Sequence, residues 1–93
     1  MAVFTDRAEE LKAEKALLLK ADRDIEEGWK RLRNQQDLLQ NLREGGHDTK
    51  QAEYLVKLLK QILVEWEQHR VLIEQRVAHL QGEFLPLRVA GDR

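Results

Sequence analysis

Glu44-Gly45-Gly46-His47-Asp48-Thr49 is the stretch on which the architecture turns. Upstream of it, from Asp6 to Glu44, there is no proline and a single glycine, Gly28; downstream, from Thr49 to Gln81, there is neither. Two long uninterrupted segments on either side of paired glycines read as two helices and a turn. The spacing predicts helix 1 over about residues 6–44, the turn at 45–48, helix 2 over about 49–81 and a C-terminal tail at 82–93. Thr5 or Asp6 suits the cap of the first helix, and Gly45 or Gly46 the left-handed position after its end. Asp48, with Gln51 three residues on, has capping-box spacing for the second. At 1.5 Å per residue the helices are about 57 and 50 Å long, and so short a connection returns the chain antiparallel. The expected fold is all-α: one domain, an antiparallel two-helix hairpin of coiled-coil type.

The apolar residues agree with that reading. Leu11, Leu18, Ile25, Leu32 and Leu39 recur every seven residues, and Glu14, Ala21, Gly28, Gln35 and Leu42 fill the alternate seam positions. In helix 2 the first series is Ala52, Leu59, Trp66, Ile73 and Leu80, and the second is read as Leu55, Ile62, His69 and Arg76. A sustained seven-residue repeat implies left-handed packing at roughly +20°. Folding the chain about Gly46 brings Gly28 opposite Trp66, where a missing side chain makes room for an indole. Leu17, Leu19, Trp29 and Leu38 on helix 1, and Val56, Leu58, Leu63, Leu72 and Val77 on helix 2, lie outside this seam. The stripes are then wider than two helices can bury against each other. A two-fold dimer of hairpins closing into a four-helix bundle is the economical way to cover them. The expected core and dimer interface comprises Leu18, Ile25, Trp29, Leu32, Leu39, Leu59, Ile62, Trp66, His69 and Ile73, with Gly45, Gly46 and Asp48 fixing the turn. Phe84-Leu85-Pro86-Leu87-Arg88-Val89 cannot continue a helix through its proline, and either folds over the bundle end or awaits a partner.

Composition removes several functions. Ninety-three residues are too few for a two-layer enzyme with a deep cleft. A formal net charge of -1 offers no bulk attraction to nucleic acid or anionic membrane. Without cysteine there is no disulfide framework, thiolate metal site or thiol nucleophile. Apolar runs such as Ala16-Leu17-Leu18-Leu19 fall far short of the roughly 18 residues of a membrane span. The N-terminus lacks a basic region followed by an apolar core, so the cytoplasm is the expected location.

Ala21-Asp22-Arg23-Asp24-Ile25, Gly28, Gln36 and Leu39 lead into Gly46-His47-Asp48-Thr49, and Ala52, Leu55, Leu59, His69-Arg70 and Ile73 follow. This run resembles a group of small helical proteins of alphaproteobacteria such as rhizobia, which carry a similar Gly-His/Arg-Asp-Thr turn between two amphipathic helices. The resemblance spans about residues 21–75 and rests on a structural motif. It implies the hairpin and carries no activity, cofactor or site. The architecture is also similar to the RNA-regulating hairpin dimers of plasmid copy control, without a sequence match that transfers binding residues.

The polar residues favour structural roles. His47, beside a capping aspartate, reads as a polar turn residue before it reads as a pH-responsive or metal-binding group. His69 and His79 are ten residues apart, whereas zinc pairs on one helix use i, i+3 or i, i+4. Glu65 precedes His69 by four residues, not the three of a di-iron motif. No metal or cofactor is expected, and His69 reads as a core histidine bonded to Asp24 or Gln35. Arg23, Lys30 and Arg33, with Arg31, are the residues an RNA-binding alternative would use. Asp22, Asp24, Glu26 and Glu27 interleave with them, however, and Glu26–Lys30, Glu27–Arg31 and Glu53–Lys57 have the favourable i, i+4 order of a solvated face. There is no phosphate-binding glycine loop and no serine, and Thr5 and Thr49 sit at expected helix starts. No catalytic residue is assigned. The leading expectation is a non-enzymatic protein-binding module or small regulator working as a homodimer with an unidentified protein partner and no membrane. An RNA-binding dimer comes second, and a bundle holding a metal or ligand near His69 third.

Overall fold

A computed structural model describes residues 6–84, with side chains through Gly82. Helix α1 runs Arg7–Glu44 and helix α2 Lys50–Phe84, packed against each other along their length. Asp6 caps α1 by accepting the Ala8 N–H at 3.0 Å. Helix α1 ends in a Schellman turn: His47 N–H donates to the Leu42 carbonyl at 2.9 Å and Gly46 N–H to the Arg43 carbonyl at 3.1 Å. Gly46 carries the left-handed φ of 72°, the one glycine in the turn that the backbone requires. Gly45 stays right-handed at φ -85°, and the His47 ring lies over it.

Asp48 Oδ1 accepts the Lys50 N–H at 3.0 Å, so the expected cap is present. Its expected partner is corrected. The Thr49 hydroxyl donates to Glu53 at 2.7 Å, and no side-chain hydrogen bond joins Gln51 to Asp48. At the far end α2 passes through Gly82 to Phe84, three residues beyond the expected stop. An exposed glycine weakens a helix without ending it, whereas the position before Pro86 disfavours helical backbone. The Pro86 segment lies outside the described residues.

On α1 the expected seam holds at every position. Gly28, Leu32 and Leu39 are buried, and Leu11, Glu14, Leu18, Ala21, Ile25, Gln35 and Leu42 are half-buried. On α2 one of the two series is displaced by a residue. Ala52, Ile73 and Leu80 are buried and Leu59 is half-buried, as expected, but Trp66 of the same series is 38% exposed, its ring lying at the edge of the seam beside Gly28. The alternates of this series are Val56, Leu63, Arg70 and Val77. Leu55 and Ile62 are half-buried beside the seam, while His69 and Arg76 are exposed. Burial decides between the two series. The observed one offers three aliphatic side chains and an arginine whose stem can lie along the seam. The expected one offers two aliphatic side chains, an imidazole and an arginine. Arg70 bonds Asp22 across the seam and approaches Glu74 at 3.5 Å. The densest packing joins Leu32, Leu39, Ala52, Val56 and Leu63, with Ile25, Leu42 and Leu59 against them.

Gly28 sits in this core. A Cβ built on it meets Leu63 Cδ2 at 2.7 Å and Trp66 Cζ3 at 3.3 Å. The glycine does admit Trp66, and it admits Leu63 even more closely.

Candidate interaction faces

A two-helix hairpin has a seam and two flanks, and the flanks hold what the seam leaves over. Among the described residues ten large apolar side chains remain between 37% and 62% exposed: Leu17, Leu19, Trp29, Leu38, Tyr54, Leu58, Val64, Trp66, Val71 and Leu72. That is too many to be the isolated apolar residues any soluble surface carries.

On the first flank Leu17, Asp24, Arg31 and Leu38 follow one another at intervals of seven along α1. Arg31 shares with Asn34, Gln35, Leu55, Leu58 and Leu59 an open hollow of about 340 Å³. Asp24, Ala21, Trp66 and His69 line a smaller one of about 130 Å³. The expected core role of His69 is corrected here. The imidazole is exposed at the rim of the smaller hollow, because the α2 seam passes through Arg70. Asp24 accepts the Lys20 Nζ at 2.7 Å, and no hydrogen bond joins His69 to Asp24 or to Gln35, whose Oε1 is buried without a partner.

The second flank bears a groove of about 470 Å³ whose floor is Leu32 and Leu63 and whose walls are Trp29 and Val64. Trp29 was expected within the interface; it is 41% exposed and donates from Nε1 to Glu67 Oε2 at 3.3 Å. Arg33, Gln36 and Lys60 rim this groove. Towards the turn it continues into a more polar depression of about 530 Å³ with Arg43, Lys57 and Lys60 along it and Glu53 opposite. Arg43 approaches Glu53 at 3.7 Å.

The basic residues are therefore arranged differently from the expected set. Arg33, Arg43, Lys57 and Lys60 gather on the Trp29 flank. Arg23 and Lys30, seven apart, lie on the outer side of α1, and Lys30 approaches Glu27 rather than Glu26, at 3.7 Å. Glu53 turns to Arg43 instead of Lys57. Composition could not show this grouping, because it joins residues of both helices that only the corrected α2 register brings to one side. The Asp22 hydrogen bond, reinforced by Glu74, raises the Arg70 pKa further above its ordinary value despite some desolvation. Arg70 is thus a fixed cation of the seam.

Among the described residues no group of three histidine, aspartate or glutamate side chains is placed to hold a metal ion. No described helix is long and apolar enough to cross a membrane. No protein-family model, curated protein or solved structure matches the chain.

Proposed function

We propose that the protein is a non-enzymatic interaction module, a cytoplasmic helical hairpin that dimerises and binds another protein. The observation that carries this reading is the set of half-exposed apolar side chains flanking a seam that is already filled. Two partners, one for each flank, suit two flanks of different character. The first is the more apolar and suits a second hairpin. The second pairs an apolar floor with the cationic rim of Arg33, Lys57 and Lys60, and suits an amphipathic helix that brings an apolar anchor and acidic neighbours.

Trp29 makes this testable by fluorescence. Labelled wild-type protein and a Val64→Glu variant are compared for proteins captured from the native host, after circular dichroism has shown equal helicity. A partner lost from the variant, whose acidic amphipathic peptide quenches or shifts tryptophan emission on titration, supports the reading. An identical set of captured proteins from both would contradict it.

The grouping of Arg33, Arg43, Lys57 and Lys60 favours RNA as the second reading. Binding of a structured RNA that weakens steeply with salt and disappears in Lys57→Glu/Lys60→Glu would favour that reading over the protein partner.

A further inference from the structure

We infer that the first flank is covered by a second copy of this chain lying antiparallel to the first, with the two turns at opposite ends. This rests on the dimer reading above and gives it a face and a direction. Leu17, Asp24, Arg31 and Leu38 form one row on an uninterrupted helix. In chemical character the row is apolar, acidic, basic, apolar. A two-fold axis perpendicular to the helices reverses it, so Leu17 of each copy meets Leu38 of the other and Asp24 meets Arg31. Every contact forms twice, and both types are favourable.

Helix α2 supplies an independent check. Leu58 and Leu72, 37% and 56% exposed, stand seven residues to either side of Glu65, so an axis at Glu65 brings Leu58 onto the other copy's Leu72. The axis that reverses the α1 row passes beside Gly28, midway between Asp24 and Arg31. Gly28 itself lies against Leu63 and Trp66, the residues that bracket Glu65. One axis therefore serves both helices. With the turns at the same end, α1 would lie over α2 of the other copy. Arg31 would then face Ile62 and Leu17 would face Arg76, so half of the row is mismatched even though Asp24 would face His69 and Leu38 would face Leu55. The antiparallel arrangement brings Glu27 and Glu65 each close to its own copy, at exposed positions where salt screens the pairs. Asp24 keeps its bond to Lys20, since a carboxylate accepts several donors. The groove beside Trp29 then faces outward on both sides of the bundle.

The chain has no cysteine, so engineered thiols report without background. Leu17→Cys and Leu38→Cys shorten side chains that are 45% and 44% exposed, leaving the seam intact. Mixed and mildly oxidised, the two variants are expected to give a disulfide-linked pair on a non-reducing gel. Each variant alone should give about a tenth as much or less, because positions 17 and 38 lie roughly 31 Å apart along the helix. If light scattering reports a dimer and the mixture does not link, the antiparallel face is wrong and the dimer stands. A monomer mass removes both. A charge exchange adds a second readout: Asp24→Arg and Arg31→Asp should each weaken self-association about tenfold, and the double variant should restore most of it. A double variant no better than the weaker single one would overturn the pairing.

Discussion

Two glycines in helical backbone separate space from propensity at the level of single residues. Nothing lies within 4 Å of a Cβ at Gly82, whereas at Gly28 it would meet Leu63 Cδ2 at 2.7 Å. Gly82→Ala is expected to raise stability by up to about 1 kcal/mol, the propensity difference alone. At Gly28 the same methyl group must displace Leu63, which is only 2% exposed and packed into the seam core. Gly28→Ala is expected to melt slightly below wild type. Gly28→Leu should lose about 1–3 kcal/mol despite its better helix propensity. Thermal melts check all three, and a Gly28→Leu variant melting above wild type would place Gly28 outside the packed seam. Gln35 makes the opposite case, since its Oε1 is buried without a partner. Gln35→Leu keeps nearly the same volume and removes the orphaned acceptor, so it should raise stability by about 1–2 kcal/mol in the same melts.

Among the elements, the turn and α1 were legible from sequence and half of the α2 seam was not. The turn needs a left-handed residue after α1 and a cap before α2, and Gly46 and Asp48 are residue types that announce those roles. Gly46→Ala should cost about 1–2 kcal/mol at its φ of 72°, and Asp48→Ala about 0.5–2 kcal/mol through the lost cap. Gly45→Ala should be nearly neutral. Its φ is ordinary, and the close neighbour is the exposed ring of His47, which can swing aside. Chemical denaturation of the three variants distinguishes a backbone requirement from a crowding one. Helix α1 has a single apolar series at seam spacing, so its register could be read only one way. Helix α2 presents Leu55 and Ile62 directly beside Val56 and Leu63, two apolar series one residue apart that each complete a heptad pattern. The choice between them depends on what stands opposite. Gly28 receives Leu63, and Asp22 receives Arg70. Those are contacts between residues about forty positions apart, invisible to any local periodicity. The same displacement moved His69 out of the core and gathered Arg33, Lys57 and Lys60 on one flank.

For the whole molecule, the hairpin has filled its seam and still carries apolar surface on both sides. Its exposed ion pairs, such as Lys20–Asp24 at 2.7 Å, are each worth no more than about 1 kcal/mol and cannot be what the fold is organised around. The flanks can be, because dimerisation would remove the first from water and leave two copies of the Trp29 groove facing outward. A module with two identical grooves gains avidity for any partner that offers two suitable helices. All of this depends on self-association, which light scattering reads as mass across a dilution series from high to low micromolar concentration. A mass twice the 11.0 kDa of the chain, falling only on dilution, is the expected result. A constant 11.0 kDa over the whole accessible range would contradict it.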